Sequence, residues 1–208
     1  MWTIDPIDGT KGFLRGEQYA VCLSLIVDSI VQVGVIGCPN LPINPQSSEK
    51  GTGCIFVAVR GQGARQVRSH LFPFCHRFIQ MIVPTLQLTL NGSDPTPLTI
   101  APITPSSLNF LESVEAAHSS HSFNDRVSTL LGITRPPTRV DSQAKYCCLA
   151  RGDAGAYLRM PTGVGYLEKI WVGFLRHILL VLLCICESAI VFCRTTHLAR
   201  SLWKKLVE

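Results

Sequence analysis

The sequence predicts an α/β layered fold, on three observations. Strand-like and helix-like segments alternate along residues 98–171. A strand hairpin and a third strand are written into residues 1–66. The composition, 47% hydrophobic and 16% charged over 208 residues, is that of a folded protein and not of a disordered tail. At roughly 100–200 residues per domain, the length accommodates one domain, or one and part of another.

Taken in order, the elements fall into four stretches: 1–66, 67–97, 98–171 and 172–208. In the first, Tyr19 to Ile26 and Ile30 to Ile36 read as strands joined at Asp28-Ser29, and Cys54 to Arg60 as a third. Pro39, Pro42 and Pro45 mark a loop between the second and third. Residues 67–97 read as an irregular insert or loop: Phe72, Phe74, Phe78 and Met81-Ile82-Val83 follow no period, and Asn91-Gly-Ser93 reads as a turn. In the third stretch Leu108 to Val114 is strand-like, and Asn124 to Leu131 is helical, stopped by Gly132. Ser142 to Ala150 reads as a helix with Asp141 as its N-cap and Gly152 near its end. Ala156 to Met160 is a strand closed by Pro161.

Residues 172–208 differ in character. They hold no proline and a single glycine, Gly173, and Ile178 to Cys186 is unbroken apolar. This run reads as a buried helix. It is well short of the ~20 residues that cross a bilayer. Extending it to Cys193 includes Glu187, at about 2.5–3.5 kcal/mol near a membrane centre.

Charge and cysteine usage narrow the function classes. The net charge of +5 is uneven: 172–208 hold five Lys/Arg against two Asp/Glu, leaving 14 against 12 on residues 1–171. A body so near neutral, without basic runs, is a poor candidate for a dedicated nucleic-acid binder. The nine cysteines are irregularly placed, with Cys147 and Cys148 adjacent and Cys184, Cys186 and Cys193 in one apolar run. No two C-x-x-C elements offer a zinc site, so buried free thiols in a reducing compartment are expected. Met1-Trp-Thr-Ile-Asp5 has neither a basic n-region nor an apolar h-region, which points to a cytoplasmic protein, expected to be a monomer.

The chemistry is concentrated in Trp2-Thr-Ile-Asp5-Pro-Ile7-Asp8-Gly9-Thr10. Asp5 and Asp8 can point at one spot, where two like charges are costly unless a cation lies between them. Hard oxygens suit Mg²⁺, which meets substrate phosphate directly. Gly9 adds a backbone N–H and Thr10 a hydroxyl, both able to hold a phosphate oxygen. D-P-x-D by itself is also an ordinary Asx-turn; the full string after a Trp-containing strand is more specific.

That string resembles the metal-binding signature of the lithium-sensitive, magnesium-dependent phosphomonoesterases, the inositol monophosphatase superfamily. The continuation Lys11-Gly-Phe-Leu-Arg15-Gly-Glu-Gln-Tyr19 resembles its 3'(2'),5'-bisphosphate nucleotidase branch. So do Glu112-Ser-Val-Glu115-Ala-Ala-His118-Ser-Ser-His121, Asp141-Ser142-Gln-Ala-Lys145-Tyr, Tyr157-Leu-Arg159-Met-Pro161 and Tyr166-Leu-Glu168-Lys-Ile-Trp171. The resemblance implies a layered sugar-phosphatase fold. It implies removal of the 3'-phosphate of adenosine 3',5'-bisphosphate, and of 3'-phosphoadenylyl sulfate, in sulfate assimilation. By the same resemblance residues 1–66 are the later part of a metal-binding domain, and 98–171 part of a nucleotide-binding domain. Asp5, Asp8 and the Ile7 carbonyl would be Mg²⁺ ligands, and Thr10 would orient the attacking water and touch the phosphate with Gly9. His118, Ser142, Lys145 and Arg159 match positions that hold the nucleotide. Each has another possible role: His118 as a helix cap or a metal pair with His121, Lys145 as a solvated charge, Arg159 as the partner of a carboxylate.

Two departures from the family pattern bear on activity. Family members carry a region before D-P-I-D-G-T that supplies a metal-binding Glu and a water-activating Asp, and here the motif begins at Asp5. After Trp171, where the pattern places a further Asp ligand, stands Val172. Val172-Gly173 is what a splice-donor sequence encodes in frame, so 172–208 read as translated intron or a shifted frame, and the stretch near 67–85 as a second such insert. Little or no phosphatase activity is expected of this chain by itself. The alternative is a non-catalytic, membrane-associated or interaction protein working through 172–208, where Arg194, Arg200, Lys204 and Lys205 follow the apolar run.

Overall fold

Hairpin chemistry builds the first sheet. In the computed structural model, which describes residues 1–46, 51–68, 96–98, 107–115, 121–159, 182–186 and 189–193, strands β2 (Ala20–Val27) and β3 (Ile30–Pro42) are joined by Asp28 and Ser29. Both turn residues have positive φ, 49° and 61°, the signature of the two-residue turn whose twist matches its strands. Strands β4 (Thr52–Val59), β5 (Gly63–Arg68) and β6 (Thr96–Pro97) extend the sheet on one side, and β1 (Trp2–Asp8) forms its other edge. All neighbours are antiparallel, in the order β1-β2-β3-β4-β5-β6.

Two details differ from the expected strands. Pro39 and Pro42 lie inside β3 and not in a loop, because pairing with β4 is irregular between Cys38 and Pro42. A proline there forfeits no regular ladder bond. β5 also runs across residues 66 and 67, pairing Val67 with Ile55 and Arg68 with Cys54. Residues 69–95, including the Asn91–Ser93 turn, lie outside the described residues.

The second sheet has the order β10-β11-β9-β7-β8. Strands β7 (Phe110–Glu112), β8 (Thr138–Arg139) and β9 (Ala156–Arg159) are parallel, and helices α2 (His121–Leu131) and α3 (Ala144–Arg151) connect them. Gly132, at φ 66°, follows the end of α2, and Gly152, at φ 98°, caps α3. α3 is buried at every position from Ala144 to Ala150. The reason is that both sides of it are covered. Its residues share one apolar cluster with Ile36, Cys38 and Phe56 of the first sheet and with Leu111 and Tyr157 of the second.

The helix expected in 172–208 is corrected. β10 (Leu182–Cys186) and β11 (Ala189–Cys193) form an antiparallel hairpin, and β11 pairs with β9. A short unbroken apolar run suits a buried strand as well as a buried helix, and periodicity alone does not separate them. Among the described residues, no helix is long and apolar enough to cross a membrane.

Candidate functional site

The site begins with a bulge. In a regular strand residues three apart face opposite sides of the sheet, which would separate Asp5 from Asp8. Here Asp5 pairs with Cys22 and Asp8 with Ala20, so β1 carries one residue more than β2 between the two pairs. The extra residue restores the alternation and returns Asp8 to the side of Asp5. Consistent with this, the Cys22 thiol is raised well above its ordinary pKa, first by burial and then by charges that include both Asp8 and Asp5. Asp5 and Asp8 are half-buried, while Pro6 and Ile7 between them are exposed.

The loop then closes on itself. The Asp5 Oδ1 accepts the Ile7 N–H at 3.3 Å, and the Thr10 hydroxyl donates to the Ile7 carbonyl at 3.4 Å. Gly9, at φ 81°, starts the short helix α1 (Thr10–Leu14). These oxygens are hard donors of the kind a divalent cation takes. Among the described residues no group of three or more His, Cys, Asp or Glu side chains comes together as a metal cage.

Against this loop sits the turn that enters α3. Asp8 Oδ2 accepts the Gln143 N–H at 2.5 Å, and Ser142 Oγ accepts the Ala144 N–H at 3.2 Å. Ser142 has φ 65°. Asp141 is therefore not the N-cap of α3. That helix begins at Ala144 with Gln143 at its cap, the Gln143 side chain makes no cap bond, and the Asp141 carboxylate is engaged by the Arg15 guanidinium. A long-range ion pair has displaced the local capping role. Lys145, 6% exposed, is not a solvated charge: its Nζ donates to the Val140 carbonyl at 3.4 Å and lies 5.9 Å from the Tyr157 ring centre. The loop 5–10 and the turn 141–145 thus meet directly.

A family model supplies the identity. The model for the inositol monophosphatase family matches residues 1–171. The chain belongs to the inositol monophosphatase family. Curated relatives include a 3'(2'),5'-bisphosphate nucleotidase of Schizosaccharomyces pombe, 45% identical over 174 residues, with 82% of this chain and 44% of that protein covered. One from Emericella nidulans is 42% identical over 184 residues, covering 82% and 47%. Another from Arabidopsis thaliana is 41% identical over 178 residues, covering 82% and 44%. The chain therefore spans about half the length of the curated relatives it matches. Among solved structures, the extragenic suppressor protein suhB of Bartonella henselae superposes with a TM-score of 0.58 at 16% identity, covering 98% of this chain and 68% of that one. CysQ of Bacteroides thetaiotaomicron gives 0.52 at 19%, covering 94% and 70%. At such identities the structural likeness establishes the α/β fold and nothing more.

Of the residues expected at this family member's site, Asp5, Ile7, Asp8, Gly9, Thr10, Ser142 and Lys145 are gathered where the two segments meet. His118 lies outside the described residues. Arg159 closes β9, and only its backbone is described. His121 opens α2 with its Nε2 3.2 Å from the Ser113 carbonyl and 3.7 Å from Glu112 Oε2. Sequence reasoning missed Gly12, Arg15 and the Gln143 backbone. A signal for the first two existed: Gly9, Gly12 and Arg15 recur every three residues, the spacing of one helix face.

Proposed function

We propose that this chain carries the phosphate-handling core of a 3'(2'),5'-bisphosphate nucleotidase. In this reading it binds adenosine 3',5'-bisphosphate, and the sulfated 3'-phosphoadenylyl sulfate, for hydrolysis of the 3'-phosphate within sulfate assimilation. The observation that carries it is the seating of D-P-I-D-G-T on D-S-Q-A-K-Y through the Asp8 to Gln143 hydrogen bond at 2.5 Å. Each segment alone has ordinary structural uses. Joined, they bring a pair of carboxylates onto the segment that carries Lys145. The names of the relatives at 41–45% identity support a nucleotide as the substrate class.

In the proposed mechanism, Asp5, Asp8 and the Ile7 carbonyl would hold Mg²⁺, and the donor chemistry described above fits it. When bound, the ion supplies charge stabilisation to the phosphoryl group. Thr10 orients the attacking water with its hydroxyl, and the Gly9 N–H holds a phosphate oxygen. Lys145, withdrawn from bulk water, attracts a phosphate more strongly than an exposed lysine does. Ser142, with His118 and Arg159, completes the nucleotide contacts. Two carboxylates and one carbonyl would be a sparse set of protein oxygens for such an ion, and Val172 offers no oxygen side chain where the family pattern has Asp. Metal affinity and turnover are accordingly proposed to be low.

Calorimetric titration of the purified chain with adenosine 3',5'-bisphosphate in Mg²⁺, alongside a phosphate-release assay, tests this. Binding that weakens in Asp8→Ala, with little phosphate released, is the expected result. A chain that does not bind the nucleotide sinks the nucleotidase reading. Rapid turnover abolished by Asp8→Ala refutes only the low activity. Against the membrane-associated alternative, β10 and β11 of that segment pair into the sheet of β9.

A further inference from the structure

We propose that Arg15 is a positioning residue for nucleotide binding, clamping the Asp141-Ser142-Gln143 turn over Asp8 and so setting where Ser142 and Lys145 stand relative to the phosphate loop. The proposal rests on the nucleotidase reading above and assigns a role to a residue that reading does not use.

The geometry starts with α1. A Cβ on Gly9 would stand 2.7 Å from Ser142 Cβ, and one on Gly12 would stand 3.1 Å from Asp141 Oδ2 and 2.3 Å from the Gln18 carbonyl oxygen. The face of α1 that carries the two glycines therefore lies directly on residues 141–142. Arg15, three residues further along, reaches the same turn. Its Nη2 meets Asp141 Oδ2, its Nη1 meets Glu115 Oε1 at 2.7 Å and its Nε meets Glu17 Oε2 at 2.7 Å. Lys11 adds a second cation to Glu115 at 3.1 Å.

Three carboxylates from three parts of the chain thus occupy the guanidinium fork. A group so engaged is not a substrate cation, and Arg15 acts through Asp141. The Asp141 side chain is only 8% exposed, and a buried carboxylate that loses its cation is strongly destabilised. Next to it, Ser142 holds a left-handed conformation at φ 65°, which persists only where its surroundings enforce it. The enforcement comes from both sides: Arg15 holds Asp141, and Asp8 holds the Gln143 N–H. Lys145 follows on the same turn, with its Nζ at the Val140 carbonyl. Lysine at position 15 would supply a point charge in place of a fork and could not span three partners in fixed directions.

The test is nucleotide affinity and local amide exchange in the full chain. Wild type, Arg15→Ala, Arg15→Lys, Asp141→Asn and the double variant Arg15→Ala/Asp141→Asn are titrated with adenosine 3',5'-bisphosphate and followed by hydrogen exchange. Arg15→Ala is expected to weaken binding about tenfold, Arg15→Lys less, and the double variant no more than the worse single, as for a coupled pair. Exchange should accelerate at Gln143 and Ala144 while the amides of β3 and β4 keep their wild-type rates. Unchanged affinity in Arg15→Ala overturns the proposal, and so does an affinity loss accompanied by faster exchange throughout the core. Should Arg15→Ala fail to fold, Arg15→Lys and Asp141→Asn carry the same comparison, and wild-type affinity in both overturns it. Wild type that binds no nucleotide removes the nucleotidase reading and this inference together, whereas tight wild-type binding with an indifferent Arg15 removes the inference alone.

Discussion

Gly9 and Ser142 face each other across the site with no room between them. A Cβ on Gly9 would come within 2.7 Å of Ser142 Cβ, and both residues hold left-handed backbone, at φ 81° and 65°. Two residues more than a hundred positions apart thus both take left-handed backbone at their point of contact, open to Gly9 and uncommon for Ser142. Relaxing either one is expected to loosen the contact between the phosphate loop and the segment that carries Lys145.

Gly9→Ala is accordingly expected to fail on two grounds. The left-handed conformation disfavours any residue with a Cβ, and the new methyl must displace Ser142 itself, since the obstructing atoms include its Cα and N. Together these should cost about 1–3 kcal/mol. Urea denaturation read against wild type checks the stability. Calorimetry with adenosine 3',5'-bisphosphate should show weaker binding even where the variant remains folded.

What could be read from the sequence here, and what could not, divides along chain separation. The Asp28-Ser29 hairpin was legible because two turn residues stand between apolar runs, a purely local pattern. The phosphate loop was legible because its carboxylates, glycine and hydroxyl lie within six consecutive positions. Asp141 was misassigned for the opposite reason: D-S-Q reads locally as a helix cap, and its actual partner, Arg15, lies 126 residues away. The convergence of Asp5 and Asp8 was expected from their spacing alone, yet it comes from a bulge visible only in the register with β2. In the tail, apolar residues without a period concealed a strand pair whose place depends on β9.

Arg151 joins the end of α3 to the end of β3. Its guanidinium donates to the Pro42 carbonyl at 2.7 Å and the Ile43 carbonyl at 3.2 Å, and it grips Asp153 in a pair whose side chains are 10% and 12% exposed. Burial works against this charge, and the hydrogen bonds and charge of Asp153 outweigh it, so the guanidinium pKa is raised. Arg151→Met leaves Asp153 buried without its cation, and a loss of about 3–5 kcal/mol is expected. Arg151→Met/Asp153→Ala should recover part of that loss, which a denaturation cycle of the four proteins measures directly.

Cys22, Cys38, Cys54, Cys147 and Cys148 are free thiols. Burial pushes Cys54 up to about 11, with Arg151 working against it. Burial also raises Cys147, aided by its hydrogen bond with Cys38, and Cys148, aided by Asp153. Unfolded thiols ionise near pH 8.5, where these remain protonated. Their contribution to stability is thus fully present below that pH and declines as pH rises towards 11. Denaturation midpoints from pH 7 to 10 should fall accordingly. A brief iodoacetamide pulse at pH 7.5, mapped by mass spectrometry, should leave Cys54, Cys147 and Cys148 unmodified in the native protein and label them in urea.

The family match ends at Trp171, but the second sheet does not. β11 pairs with β9 along its length, from Ala156 with Cys193 to Arg159 with Ile190, and β10 covers the far side of β11. A chain stopped at Trp171 would strip that partner from β9 and leave a row of unpaired backbone groups beside the buried Tyr157. An open edge of this kind recruits other chains. The 1–171 protein is therefore expected to elute from size exclusion as oligomers or aggregate, and to unfold at lower urea than the full chain. Were 172–208 a passive appendage, as a translated intron would be, its removal would leave both properties unchanged or improve solubility by taking away an apolar run. The two expectations have opposite signs, so light scattering on the two proteins at equal concentration decides whether the segment is part of the fold.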